Sequence, residues 1–151
     1  MRSEMVEPYG AGLVTKSPYV ARRPVEGELV AVLDLALENR GLKPIIPRSR
    51  ALTTRSIHEV AITDQERTDE KGLIDRVSYV GFVEISRGGV VVVDDLVKIS
   101  NLDIGVLLGF DETHFPNHMT LIVRAGERKT GKQLGVGVGD RFLVLAREHL
   151  E

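Results

Sequence analysis

Residues 76–110 read RVSYVGFVEISRGGVVVVDDLVKISNLDIGVLLGF, and their periodicity sets the architecture. RVSYVGFVEI (76–85) and GVVVVDDLVKI (89–99) are β-branched runs of strand length. The SRGG joining them predicts a hairpin turn, with glycine where positive φ is wanted. ISNLDIG (99–105) turns the chain again into IGVLLGF (104–110), a further strand. Gly81, Gly105 and Gly109 fall inside these runs, as glycines do at barrel bends and bulges.

On the C-terminal side, HMTLIVRA (118–125) and VGVGDRFLVLA (136–146) read as two more strands. GERKTGKQLG (126–135) between them reads as an exposed basic loop, because its Gly-Lys lacks both the phosphate-loop spacing and a downstream helix. GVGVGD (135–140) is not a dinucleotide fingerprint, since a strand follows it; it predicts a turn pinned by Asp140. On the N-terminal side, SIHEVAITD (56–64) is a clear strand and IPRSRALTTR (46–55) a connection. Residues 26–46 admit two readings. Leu29, Leu33 and Leu37 would stripe a helix closed by Gly41, whereas 28–35 would form a strand apolar on both faces. The β-rich surroundings favour the strand. Six to seven short strands predict an all-β domain, a small closed or partly open β-barrel with Greek-key or meander connections. Residues 1–23 sustain no period and read as an extended arm, ahead of a single barrel domain over 24–151.

Composition limits the function classes. With 151 residues, 42% hydrophobic and 28% charged, the chain is long enough for one well-buried core. It has no cysteine, which excludes disulfides, thiolate nucleophiles and cysteine-held metals. No apolar run approaches the roughly 18 residues of a membrane helix, and no signal pattern opens the chain, so a cytoplasmic protein without a membrane partner is expected. A net charge of −2 argues against a dedicated nucleic-acid binder.

The densest chemistry lies in GFDETHFPNHM (109–119), where Asp111, Glu112, Thr113, His114, Asn117 and His118 crowd one connection. On a straight strand His114 and His118 would stand about 13 Å apart, and Pro116 disfavours a helix that would join them at i, i+4. A tight turn at HFPN would instead converge Glu112, His114 and His118, a ligand set suited to a divalent metal such as zinc or iron. Without metal, Glu112 or Asp111 serves as general base, or the two histidines as an acid–base pair. The plainer alternative is a loop whose Asp111 and Asn117 hydrogen-bond its own turns. From HMTLIVRA, His118, Thr120, Ile122 and Arg124 should share one face, opposite a core face of Met119, Leu121 and Val123.

NRGLKPIIPRSRALTTRS (39–56) supplies Arg40, Lys43, Arg48, Arg50 and Arg55 among hydroxyls. Guanidinium forks of this kind suit a carboxylate or phosphate ligand. The competing reading pairs these arginines with the acidic run TDQERTDEKG (63–72). If the segment folds over the 109–118 loop, Arg48, Arg50, Arg55, Thr113 and Asn117 would bind a small anionic metabolite beside the acid–base groups.

GFDETHFPNHMTLIV together with residues 76–99 resembles a bacterial β-rich domain family of unknown function that carries a Gly-Phe-Asp-Glu-Thr-His-x-Pro-Asn-His signature. The resemblance covers 25–145 and implies a β-rich single domain without an assigned activity. The strand order from Gly89 to Val144 is also similar, at the level of fold, to the glucitol/sorbitol-specific IIA component of the sugar phosphotransferase system. That family uses a phosphoacceptor histidine in its N-terminal half. Here the half holds only His58, in SIHEVAI, whose surroundings differ. A fold alone does not carry a function.

Two expectations follow. The first is a barrel that binds a small polar metabolite, as an enzyme centred on Asp111, Glu112, His114 and His118. The second is a non-catalytic accessory or assembly subunit whose loops are interface, either in a homo-oligomer held by the arm residues Tyr9, Val14, Tyr19 and Val20 or on a larger enzyme subunit.

Overall fold

The structure is a computed structural model that describes residues 18–114 and 117–147. Its elements are β1 (Val25–Leu37), β2 (Ser49–Leu52), β3 (Ile57–Thr63), β4 (Val77–Arg87), β5 (Gly89–Val92), β6 (Leu96–Ile99), β7 (Leu102–Asp111), β8 (Thr120–Arg124), α1 (Gly131–Leu134) and β9 (Arg141–Leu145). Seven strands close into a barrel in the order β1-β4-β3-β8-β7-β6-β9, with β9 pairing back onto β1. β2 and β5 form a separate antiparallel ribbon whose Leu52 and Val91 enter the barrel's core.

A closed ring that alternates strand direction throughout needs an even number of strands. With seven, one neighbouring pair must run parallel, and that pair is β3·β8, registered from Glu59↔Thr120 to Thr63↔Arg124. Parallel strands begin at the same end. The joint therefore brings the residues that open β3 and those that open β8 to one rim, although they are sixty positions apart.

Inward side chains such as Val60, Ile62, Val83, Phe110, Leu121 and Phe142 fill the barrel. Ala61, Val77, Tyr79 and Ile122 face outward, yet they too are buried. They form a second apolar cluster, covered by Leu42 and Ile74 from the excursions that follow β1 and β3. The core face expected of residues 118–124 is present: Met119, Leu121 and Val123 lie in the barrel core and Ile122 outside it.

Residues 28–35 are strand, within the longer β1. Other expectations need correction. The SRGG segment is not a hairpin, because both edges of β4 are already hydrogen-bonded, to β1 and β3, and β5 leaves to pair with β2. Residues 89–99 form two strands, not one. Asp94 takes φ 79° and the Asp95 carboxylate accepts the Val92 N–H at 2.8 Å, which breaks the run. Residues 46–55 contain β2. The supposed basic loop holds a helical turn, capped by Thr130 and Gln133 in a reciprocal capping box, and its Thr130 and Gly131 are buried. The turn before β9 forms as expected, with Asp140 Oδ2 accepting the Gly137 N–H at 2.8 Å.

The arm residues 1–17, with Tyr9 and Val14, lie outside the described residues. Residues 18–24 are held on their own chain. Arg22 forks onto both oxygens of Asp95 at 2.6 and 2.7 Å and donates to the Val90 carbonyl, while Tyr19 lies 5.2 Å from its guanidinium. Among the described residues no helix is long and apolar enough to cross a membrane.

Candidate functional site

Asp111 ends β7 and is buried. Its Oδ2 accepts the Lys43 N–H at 2.7 Å and its Oδ1 accepts the N–H and hydroxyl of Thr113. The Ile45 N–H reaches the Phe110 carbonyl at 2.8 Å. Segment 43–45 is thus stitched along the end of β7, and residues 39–50 lie over the 109–118 loop. With both its oxygens accepting from donors, Asp111 organises this crossing, and its bond to the Thr113 N–H is the turn contact of the plainer reading.

The loop then splits. Glu112 turns to Arg50 of β2 in a partly exposed ion pair. His114 and His118 come together, because the N–H groups of Asn117 and His118 both donate to the His114 carbonyl, at 2.8 and 3.2 Å. Their rings stack with centroids 5.0 Å apart, and Phe82 meets His118 edge-on at 5.2 Å. One turn thus reaches the i, i+4 proximity that Pro116 was expected to deny to a regular helix. Glu112, His114 and His118 do not converge as a trio. Among the described residues, no three His, Cys, Asp or Glu side chains are placed to hold one metal ion.

Hydrogen-bond roles fix where the protons sit. Arg40 can only donate, so His114 Nε2, its partner, accepts, and the ring proton lies on Nδ1. The Arg40 Nε also donates to the Tyr79 hydroxyl. Burial raises the Tyr79 pKa above the usual phenol value, an effect the neighbouring Arg40 opposes. At His118 the Asn117 amide donates to Nδ1 at 3.0 Å, leaving the neutral ring's proton on Nε2. That nitrogen is buried, has no hydrogen-bond partner among the described residues, and lies 3.5 Å from Glu59 Oε1. Glu59 is itself buried and accepts the Thr120 hydroxyl at 2.8 Å.

The parallel joint adds His58. Ser56 commits its hydroxyl hydrogen to the Thr53 carbonyl at 2.6 Å, so its oxygen accepts from His58 Nε2 at 2.8 Å. His58 Nδ1 is left as a buried lone pair without a hydrogen-bond partner among the described residues. Burial first, then the positive charge of Arg50 and the nearness of His118, push the His58 pKa down to about 4, so the ring is neutral at pH 7.

The remaining sequence candidates stand apart. Arg48 meets Asp94 at 3.6 Å on the surface. Arg55 is exposed, at φ 75°, and serves the corner into β3 through its N–H to the Ile85 carbonyl. Sequence reasoning did not single out Glu59, Tyr79, Phe82 or His58 for this site. For Glu59 a signal existed: an acid inside SIHEVAI shares a strand face with Ala61 and so had to be buried or paired. For Tyr79 and Phe82 none did.

Beside the cluster, a pocket of about 460 Å³ is lined by residues 43–47, Glu112 and Thr113. Fold and site together define a seven-stranded β-barrel that carries a cluster of histidines, carboxylates and arginines at the rim of its parallel joint. The chain belongs to a family of unknown function, DUF6917, whose model matches residues 19–145. Neither the curated proteins nor the solved structures gave a match.

Proposed function

We propose that this barrel binds a small carboxylate- or phosphate-bearing metabolite at the 109–118 loop and carries out acid–base chemistry there through His118 and Glu59. The observation that carries the reading is His118 Nε2: a buried imidazole nitrogen 3.5 Å from a buried carboxylate and without a hydrogen bond among the described residues. A buried polar atom left unsatisfied costs stability, and such groups concentrate where a ligand completes them. Glu59 favours a proton on Nε2, and histidine exchanges protons near neutral pH. Arg40 engages His114, Arg50 pairs with Glu112 of the same loop, and the two supply positive charge for an anionic group.

The roles follow from position. His118 takes up or gives a proton, Glu59 supports the charged imidazole, and Asn117 orients the ring. Arg40, propped by Tyr79, and Arg50 recognise the anion. The test is an imidazole-resolved NMR titration of the full chain with a panel of small carboxylates and phosphates. A bound member should move the His114 and His118 signals together, and His118→Gln should remove its binding or turnover. A panel that shifts neither ring, or an unaffected His118→Gln protein, ends the proposal.

A second reading has its own observation. Val20 is 93% exposed and Ile46 64%, which favours an assembly subunit that buries them on another copy or on a larger enzyme. Light scattering of the full chain and of a chain starting at Pro24 separates the two, since a monomer in both cases excludes an arm-held oligomer.

A further inference from the structure

The pocket and the Arg50 ion pair share one residue. Glu112 lines the pocket, and its carboxylate engages Arg50. The pocket's walls are mostly apolar, Pro44, Ile45, Ile46 and Pro47, with Lys43, Glu112 and Thr113 as the polar lining, and its volume is that of a site for a small organic molecule. The wall is rigid for a loop, because two prolines fix φ and the Ile45 N–H is bonded to β7. His58 is near enough for the Arg50 charge to bear on it, and its Nδ1 is buried without a hydrogen-bond partner among the described residues.

We infer that the pocket takes the apolar body of a small monocarboxylic acid, whose carboxylate replaces that of Glu112 on Arg50. Glu112 is then a built-in stand-in for the ligand: a carboxylate from the pocket's own lining already seated on a guanidinium. The exchange needs no charge to be stranded, since one carboxylate leaves Arg50 as another arrives. Both partners are about one-third exposed, Arg50 at 28% and Glu112 at 34%, so the pair opens at small cost. The displaced Glu112 side chain swings toward solvent. The inference rests on the anion-binding reading above and narrows it to a carboxylate with an apolar tail.

The test uses 4-phenylbutyrate and its neutral amide, titrated into the full chain by calorimetry. The acid should bind and the amide should bind more weakly. Glu112→Gln removes this internal competitor, so it should tighten the acid by about twofold to fivefold, the worth of a partly exposed ion pair. Arg50→Gln should weaken it by about tenfold or more, as expected for a lost charge-assisted pair. Ile46→Ser, at an exposed wall position where folding is not at stake, should weaken acid and amide alike.

Glu112→Gln that leaves the acid's affinity unchanged or lower overturns the inference, as does an amide that binds as well as the acid. Absence of binding to wild type and to Glu112→Gln overturns it too. The two proposals fail separately. Tightening in Glu112→Gln with silent His118 signals keeps this inference and removes the acid–base reading; shifted His118 signals without tightening do the reverse.

Discussion

Glu59 and His118 face each other across the parallel β3·β8 joint, with Oε1 3.5 Å from Nε2 and the Thr120 hydroxyl donating to the same Oε1 at 2.8 Å. The contact exists because a seven-membered ring forces one parallel pair, and a parallel pair aligns two strand starts. The site is in this sense a product of the barrel's parity.

Glu59→Gln should be mild, because an amide oxygen still accepts from Thr120. Glu59→Ala removes the acceptor and strands a buried hydroxyl, which costs about 1–3 kcal/mol on top of lost packing. Urea unfolding of both variants checks this. Equal destabilisation by the two would show that the hydrogen bond to Thr120 contributes nothing.

His58 gives the fold a pH dependence of defined sign. Its folded pKa, about 4, lies below the 6.5 of the unfolded chain, so the unfolded state binds the proton more readily. This group therefore leaves stability untouched above pH 6.5 and lowers it as the pH falls from about 6.5 toward 4. Denaturation midpoints at pH 7.5, 5.5 and 4.5, for wild type and His58→Gln, should diverge in that window, with the variant losing less. Parallel curves would mean that His58 is not held neutral by its surroundings.

Strand content was legible because β-branched runs and alternation mark local geometry. Topology was not. The SRGG glycines look like a hairpin, yet Gly88 is small because β2 crosses it: a Cβ there would stand 2.4 Å from the Leu52 carbonyl oxygen. Nothing local distinguishes a glycine needed for a turn from one needed for a crossing. The same limit applies to the site. Asp111, Glu112, His114 and His118 were visible as a dense polar loop, and Arg40 and Arg50 as a basic segment. That the loop's groups would part toward two partners, Glu112 to Arg50 and His118 to Glu59, depends on the ring closure and on residues more than fifty positions away.

Two glycines should respond to alanine to very different degrees. A Cβ at Gly81 would lie 2.1 Å from the Ala31 carbonyl oxygen, inside the β1·β4 ladder where both strands are fixed, so the backbone must shift. Gly135 has φ 76° but open space around it, so Gly135→Ala costs only the left-handed backbone penalty, about 1–2 kcal/mol. Thermal unfolding should show Gly81→Ala to be much the worse of the two. A Gly81→Ala protein as stable as Gly135→Ala would rule out the close approach of β1 and β4 at this point.

Arg22 and Asp95 form the most buried ion pair described, with side chains 7% and 3% exposed, and they hold residues 18–24 against the turn between β5 and β6. Removing one partner leaves an uncompensated charge, so Arg22→Met should cost about 3–5 kcal/mol. Asp95 does a second job, since its Oδ2 also accepts the buried Val92 N–H. Replacing it with leucine alongside Arg22→Met would orphan that donor. Asparagine keeps an oxygen for the Val92 N–H while deleting the charge, so the Arg22→Met/Asp95→Asn protein should be more stable than Arg22→Met alone. A double-mutant cycle in urea measures the coupling directly. Strict additivity of the two single changes would show that the pair, despite its geometry, contributes no interaction energy to holding the segment in place.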